Sequence, residues 1–265
     1  MSAGEVDAAQ LHALAVDIAR EAGELAKLRR SVGVALAATK STLADIVTEA
    51  DREVEDLIRT RVAAERPGDG FLGEESGADA GGTGVTWVVD PIDGTVNYAY
   101  GIPSYSVSIA AVHGSAQPGA WEAVAAAVCA PALGELFSAV RGGGAWHDGR
   151  ALHVTTETPA GALLATGFGY DPTTHDGDLQ TVRTVMPIAR DLRRGGSAAL
   201  DLAYVAAGRL DGYFERGLNP WDFAAGALLV EEAGGRVSRL DTASRRPMLI
   251  AAGLEVHDRL VGILG

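Results

Sequence analysis

Only one cysteine, Cys129, stands in the whole sequence. That excludes an internal disulfide and any site built from several thiolates, and its alanine-rich surroundings place it as a packed thiol. Positive charge is also scarce: 22 Lys and Arg against 35 Asp and Glu leave a formal net charge of −13. Gripping a nucleic-acid backbone or an anionic membrane takes clustered Lys and Arg that displace counterions, so neither partner is expected. No apolar run reaches the roughly 18 residues of a spanning helix. Residues 1–9 hold two acids and no apolar core of a signal peptide, so a cytoplasmic chain is expected. The six histidines never fall in His-Glu-x-x-His spacing, which removes the sequence sign of a zinc hydrolase. Gly142-Gly143-Gly144 lacks the Lys-Ser/Thr of a phosphate loop and reads as a turn. Internal repeats and low-complexity tracts are absent, and the only linker-like stretch is the short loop at residues 77–84.

What is present is a core-forming composition. Of 265 residues, 47% are hydrophobic and 22% charged, with 34 glycines, enough for one large domain or two closely packed halves. Leu11, Leu14, Ile18, Ala22 and Leu25 recur at helical spacing and predict an amphipathic helix over residues 7–30. A second helix is expected at 51–65, ended by Pro67-Gly68. Between them, residues 39–45 form a polar segment read as mobile. Strand signals follow at 86–89, 105–112, 123–129 and 135–140, with Asp148-Gly149 as a tight turn. This first half, residues 1–155, reads as antiparallel sheet with helices packed on it. Residues 156–265 alternate instead: strands at 163–166, 210–214 and 236–240, helices at 179–190, 198–207 and 221–233. That is the pattern of an α/β half, packed with the first into one unit.

The richest segment is Trp87-Val88-Val89-Asp90-Pro91-Ile92-Asp93-Gly94-Thr95-Val96-Asn97. An apolar strand runs into two carboxylates, with Asp90 at its edge. Pro91 bars an ordinary ladder, and Gly94 permits a close backbone approach. A helix beginning at Thr95 or Asn97 would leave free N–H groups suited to a phosphate. Alone, Asp-Pro-Ile-Asp-Gly reads equally as an acidic turn. Context favours function: Gly73-Glu74-Glu75-Ser76 ends another short apolar stretch, and Trp221-Asp222 opens an apolar helix that would bury its own first turn. Glu74, Asp90, Asp93 and Asp222 are suitable donors for a hard divalent cation. Two carboxylates about 4 Å apart repel by about 4 kcal/mol at an effective dielectric near 20, so such a cluster needs cations or protons.

Four separated signatures in order resemble the inositol monophosphatase family over nearly the whole chain. They are Asp45-Ile46-Val47-Thr48-Glu49-Ala50-Asp51, Gly73-Glu74-Glu75-Ser76, the Asp90 to Asn97 run, and Trp221-Asp222 followed by Ala224, Ala225, Gly226 and Gly235. The resemblance implies a mixed α+β and α/β chain folded as a five-layered αβαβα sandwich of the sugar phosphatase type. It also implies two to three Mg²⁺ ions per site. By the same carry-over Glu74, Asp90 and the Ile92 carbonyl hold the first ion, and Asp90, Asp93 and Asp222 the second. Glu74 serves a third through water. Thr95, paired with Asp51, positions or deprotonates the attacking water, and Lys40 belongs to a mobile loop.

The implied activity is hydrolysis of a small phosphorylated polyol, foremost myo-inositol 1-phosphate, by direct in-line attack of metal-activated water without a phosphoenzyme. Gly196, Ser197, Ala198 and Glu215 stand where the family contacts the inositol ring, with Asp93, Gly94, Thr95 and Asp222 completing the substrate site. Arg193 and Arg194 suggest phosphate recognition, but solvated surface arginines or packing against the acidic site explain them at least as well, and they are not counted among the site residues. Val96-Asn97-Tyr98 is similar to the inositol phosphatase branch. Tyr98 and Pro220 depart from the commoner residues there, which bears on substrate shape. The resemblance further implies a homodimer and lithium sensitivity. The rivals are histidinol-phosphate hydrolysis or a broad sugar and polyol phosphatase by the same chemistry, and a metal-binding regulatory protein that turns nothing over.

Overall fold

Asp7 acts as a helix cap: its Oδ1 accepts the backbone N–H groups of Ala9 and Gln10, each at 3.1 Å. The structure, a computed structural model, describes residues 7–31, 36–39, 46–114, 120–241 and 246–265. Lys40, with Asp45 and the rest of segment 40–45, lies outside the described residues. In chain order the elements are α1 (Ala8–Ser31), β1 (Leu36–Thr39), β2 (Ile46–Thr48), α2 (Glu49–Glu65), β3 (Gly70–Gly73), β4 (Gly77–Asp79) and β5 (Val85–Asp93). Then come α3 (Thr95–Tyr100), β6 (Ser106–Gly114), β7 (Trp121–Ala130), β8 (Glu135–Val140), β9 (Gly144–His147) and β10 (Arg150–Ala151). The chain continues with β11 (Ala162–Thr166), α4 (His175–Val185), β12 (Ala189–Arg193), α5 (Ala198–Ala206), β13 (Gly212–Arg216), α6 (Pro220–Glu232), β14 (Arg236–Leu240), β15 (Met248–Ala252) and α7 (Leu254–Leu264).

Besides the β1–β2 pair, two sheets form. The eight-stranded sheet runs β10-β9-β8-β7-β6-β5-β3-β4 and is antiparallel except where β3 lies parallel to β5. The five-stranded sheet runs β12-β11-β13-β15-β14. In it β11 is parallel to β12 and β13, and β15 is antiparallel to β13 and β14.

Strand alternation assigns the layers. Trp87 and Val89 of β5 enter the core that also holds Leu11, Ile18, Val54 and Ile58 of α1 and α2. Val88 between them joins Leu200, Leu202, Leu228 and Leu229 of α5 and α6 in a second core. Tyr213 of β13 belongs to that second core, while Phe214 packs into a third with Val185 of α4 and Val256 and Leu260 of α7. The order is therefore helices, sheet, helices, sheet, helices, the αβαβα sandwich expected from the sequence. Cys129 is a buried free thiol, pushed up to about 11 by burial. No helix of the described residues is long and apolar enough to cross a membrane.

Three local expectations are corrected. The helix read over 179–190 starts earlier and ends at Val185, because Pro187 cannot donate to a continuing helix; residues 189–193 become β12. Residues 77–79 of the loop read at 77–84 form the edge strand β4. The third concerns β5. It does not end at Asp90 but continues through Pro91 to Asp93, with one extra residue accommodated: Asp90 pairs with Ser108 and Asp93 with Ser106. In a regular strand, positions three apart face opposite sides; the bulge at Pro91-Ile92 cancels that and brings both carboxylates to one cleft.

A carboxylate-lined candidate active site

The cleft opens where β3, β5, the start of α5, the end of β13 and the start of α6 meet, and encloses about 110 Å³. Glu74, Asp90, Ile92, Asp93, Gly94, Thr95, Gly196, Ser197, Ala198, Glu215 and Asp222, all singled out from the sequence, line it together. Asp51 does not reach its lining but is buried on α2, close enough for its charge to act on Asp90. Glu55, one turn further along α2, accepts the N–H groups of Glu75 and Ser76 at 2.9 and 2.8 Å and so fixes the loop that carries Glu74.

The segment after β5 is held by glycine geometry. Gly94 has φ of 93°, and a Cβ there would stand 3.0 Å from the carbonyl oxygen of Gly196. Gly196 itself has φ of 91° and would meet Asn97 Nδ2 at 2.6 Å. Left-handed backbone and close approach both favour glycine at these two positions. Asn97 ties the same strands of chain together, donating from Nδ2 to Ser104 O at 2.6 Å and to Gly195 O at 2.9 Å. Thr95 Oγ1 donates to the Ile92 carbonyl at 3.1 Å. Pro220 sits at the start of α6, where a missing N–H costs nothing, and Asn219 N donates to Asp222 Oδ2 at 2.7 Å.

Electrostatically the cleft is divided. Asp93 Oδ2 accepts Ser197 Oγ–H at 2.6 Å and Ala199 N–H at 2.7 Å. Burial pushes it up, and these bonds with the Arg194 charge pull it back, to about 6. Burial also pushes Asp90 well up, reinforced by Glu74, Asp93, Asp222 and Asp51, and its Oδ1 is buried without a hydrogen-bond partner. Asp222 is likewise pushed well up by burial and by Asp93. Glu215, raised to about 7 by burial, accepts a hydrogen bond from the Tyr213 hydroxyl.

Among the described residues no three His, Cys, Asp or Glu side chains are arranged to hold a metal ion by themselves. The donor set nonetheless suits Mg²⁺, which is commonly held by one or two carboxylates with waters and substrate phosphate oxygens completing its shell rather than by an all-protein cage. The unpartnered Asp90 oxygen among acidic neighbours is what such an ion would satisfy.

The sequence reading missed Thr166, Gly167, Phe168, Tyr170, Asp201, Leu218 and Asn219 as lining residues, and it left out Arg194, which the structure places in the lining. For Asp201 a signal existed: an acid four positions after Ser197 in an otherwise apolar helix. It is buried, and burial with the charges of Asp93 and Glu215 raises it to about 8. Phe168 and Tyr170 lie in an irregular segment between β11 and α4, where no periodicity marks a residue.

Comparison with known proteins bears on this cleft. The model of the inositol monophosphatase family matches residues 7–260. An inositol-1-monophosphatase of Mycobacterium bovis is 42% identical over 285 aligned positions, covering 100% of this chain and 96% of its own. A Salmonella typhimurium chain named Nus factor SuhB is 41% identical, with 85% of this chain and 83% of its own length aligned. The crystal structure of extragenic suppressor protein suhB from Bartonella henselae superposes with a TM-score of 0.87 at 36% identity, covering 96% of this chain and 98% of that one.

Proposed function

We propose that this chain, which belongs to the inositol monophosphatase family, hydrolyses a small polyol phosphate, foremost myo-inositol 1-phosphate, with Mg²⁺ held in the carboxylate cleft. It is a phosphoric monoester hydrolase by membership. The observation that carries the metal-dependent reading is Asp90: a buried carboxylate with an unpartnered oxygen and four acidic neighbours.

Glu74, Asp90, the Ile92 carbonyl, Asp93 and Asp222 would hold two to three ions. Bound there, Mg²⁺ supplies the Lewis acidity that makes water a usable nucleophile near neutral pH and offsets phosphate charge. The chain's own residues do the positioning. Thr95 spends its hydroxyl proton on the Ile92 carbonyl, leaving its oxygen lone pairs to accept from the attacking water, and Asp51, buried on α2, is the acid this reading pairs with it. Attack is in line, and the leaving oxygen departs toward the wall of Ser197, Ala198 and Glu215. Glu215, held by Tyr213, is oriented to accept hydroxyls of the leaving alcohol. The same reading makes the working unit a homodimer and the reaction lithium-sensitive, checked by sedimentation and by a lithium titration.

Phosphate release across inositol, sugar, nucleotide and histidinol phosphates, with and without magnesium, tests the proposal. Inositol 1-phosphate is expected to be cleaved only with the ion present. Much faster cleavage of histidinol phosphate would move the substrate, and a rate indifferent to chelation would remove the metal. A regulatory role without turnover is the second reading, favoured by the likeness to a chain named Nus factor. Equal phosphate release by wild type, Asp93→Asn and Thr95→Ala would support it against the enzyme mechanism.

A further inference from the structure

Of the six tyrosines, Tyr98, Tyr105, Tyr204 and Tyr213 each commit a hydroxyl or a ring to a neighbour: Ala26 O, the Tyr98 ring, Glu135 and Glu215 in turn. Tyr100 and Tyr170 make no side-chain hydrogen bond or ring contact among the described residues, and of these two only Tyr170 lines the cleft. It is 48% exposed, so it stands at the mouth. Burial around its hydroxyl, with the charges of Asp93 and Glu74, pushes the phenol up, so that end of the ring is turned inward toward the carboxylates. The backbone beside it is pinned although it belongs to no helix or strand. Gly169 N–H donates to Asp178 Oδ2 at 3.1 Å, Gly169 O accepts from His175 Nε2 at 3.0 Å, and Asp171 O accepts Thr174 N–H at 2.9 Å. Asp178 is in turn held by Arg246 at 3.0 Å. An unpartnered ring on a fixed backbone is a surface preorganised for something outside the chain.

We infer that Tyr170 covers one C–H face of the leaving polyol with its ring, so that the cleft favours a cyclic polyol phosphate over an open-chain one of equal hydroxyl content. The inference rests on the phosphatase reading of the same cleft and narrows its substrate class to neutral rings. A polyol ring is amphipathic: hydroxyls project around its rim, and C–H groups cover its faces. Glu215, Asp93, Asp222 and Ser197 offer oxygens that can bond the rim, whereas a face needs an apolar surface. The face of an aromatic ring carries the negative part of its quadrupole and suits polarised C–H groups, and the contact removes apolar area from water. An open chain presents no rigid face and must give up bond rotations to lie flat.

Matched six-carbon substrates test it: myo-inositol 1-phosphate, a ring, and glucitol 6-phosphate, an open chain with the same number of free hydroxyls. In wild type, kcat/KM for the ring exceeds that for the chain. In Tyr170→Ala that ratio falls by about 3- to 10-fold, the worth of one aromatic contact. Tyr170→Phe keeps the ring and holds the ratio within about twofold of wild type. Since the side chain bonds nothing else among the described residues, Tyr170→Ala is expected to fold as wild type does, and its rate on glucitol 6-phosphate checks that. A wild-type ratio of one or less, the same ratio in wild type and Tyr170→Ala, or a fall in Tyr170→Phe as large as in Tyr170→Ala overturns the inference and leaves the phosphatase reading standing. The last of these would assign the effect to the hydroxyl. If neither substrate releases phosphate, the phosphatase reading fails and binding decides the inference. Calorimetric Kd values for the two esters then differ in wild type and converge in Tyr170→Ala, or, if they do not, Tyr170 has no such role.

Discussion

Asp90 and Asp93 leave the same strand three residues apart and are both buried, yet the two walls of the cleft treat them in opposite ways. On the α5 wall, Ser197 and Ala199 hand two hydrogen bonds to Asp93, so folding itself satisfies the carboxylate. On the wall of β3, β5 and α6, Asp90 Oδ1 receives none, and the charges acting on it are those of acids. One wall is preorganised by the protein and the other is left to a ligand. A like-charged pair about 4 Å apart is worth about 4 kcal/mol at an effective dielectric near 20, so the second wall lowers stability until something positive arrives.

The largest effect should come from breaking the unsatisfied wall. Asp90→Asn is expected to lower kcat/KM by about 10³-fold or more, the scale set by losing a group that acts mainly in the transition state. Its stability without divalent ions should rise, because a desolvated charge and its repulsions vanish together. A gain of about 1 kcal/mol corresponds to roughly 2–4 °C in Tm for a chain of this size. Asp93→Ala should move the other way, since it strands two buried donors at about 1–3 kcal/mol each. Scanning calorimetry of the two variants in chelator checks the opposite signs; two shifts of the same sign would erase the distinction between the walls.

Next in size is the response to magnesium. A ligand that binds only the folded state adds about 2.7 kcal/mol at a hundred times its Kd. Wild-type Tm should climb with Mg²⁺ toward that limit, and Asp90→Asn should respond weakly if at all. Thermal melts across a magnesium series measure both.

The satisfied wall has its own hinge in Ser197, which both donates to Asp93 and accepts Leu200 N–H as the cap of α5. Ser197→Ala removes the two roles at once and should cost about 1–2 kcal/mol of stability, read from the denaturant midpoint. Phosphate release should fall by roughly tenfold, because Asp93 keeps one donor of two and loses its fixed direction.

How much of this was legible in the linear order follows the same division. Asp90, Asp93, Glu74 and Asp222 stand out because acids at the ends of apolar segments conflict with burial, and conflict is visible residue by residue. The layered fold was legible through periodicity in α1, α2 and the long strands. What was hidden depends on chain geometry that periodicity does not encode. The bulge at Pro91-Ile92 turns two opposed carboxylates to one side, yet reads as a strand end. Phe168 and Tyr170 reach the cleft from an irregular segment, and Asp201 is one acid in an apolar helix. Arg193 and Arg194 are indistinguishable as letters, and only the end of β12 separates them.

That last pair yields the smallest expected effect and the sharpest control. Arg193 is bonded to Asp191 with both side chains more than half exposed, 53% and 58%. Exposed pairs of this kind contribute about 0–1 kcal/mol, since water and salt screen the attraction and ordering two long side chains offsets part of it. Arg193→Gln should therefore shift stability by no more than about 0.5 kcal/mol and alter phosphate release less than about twofold. Run beside Arg194→Gln in the phosphate-release assay, it separates position from charge: both variants lose one positive charge from the same short segment. A general electrostatic effect of an acidic protein on anionic substrates would change the rate equally in the two. A change confined to Arg194→Gln ties the effect to the one guanidinium that faces the cleft.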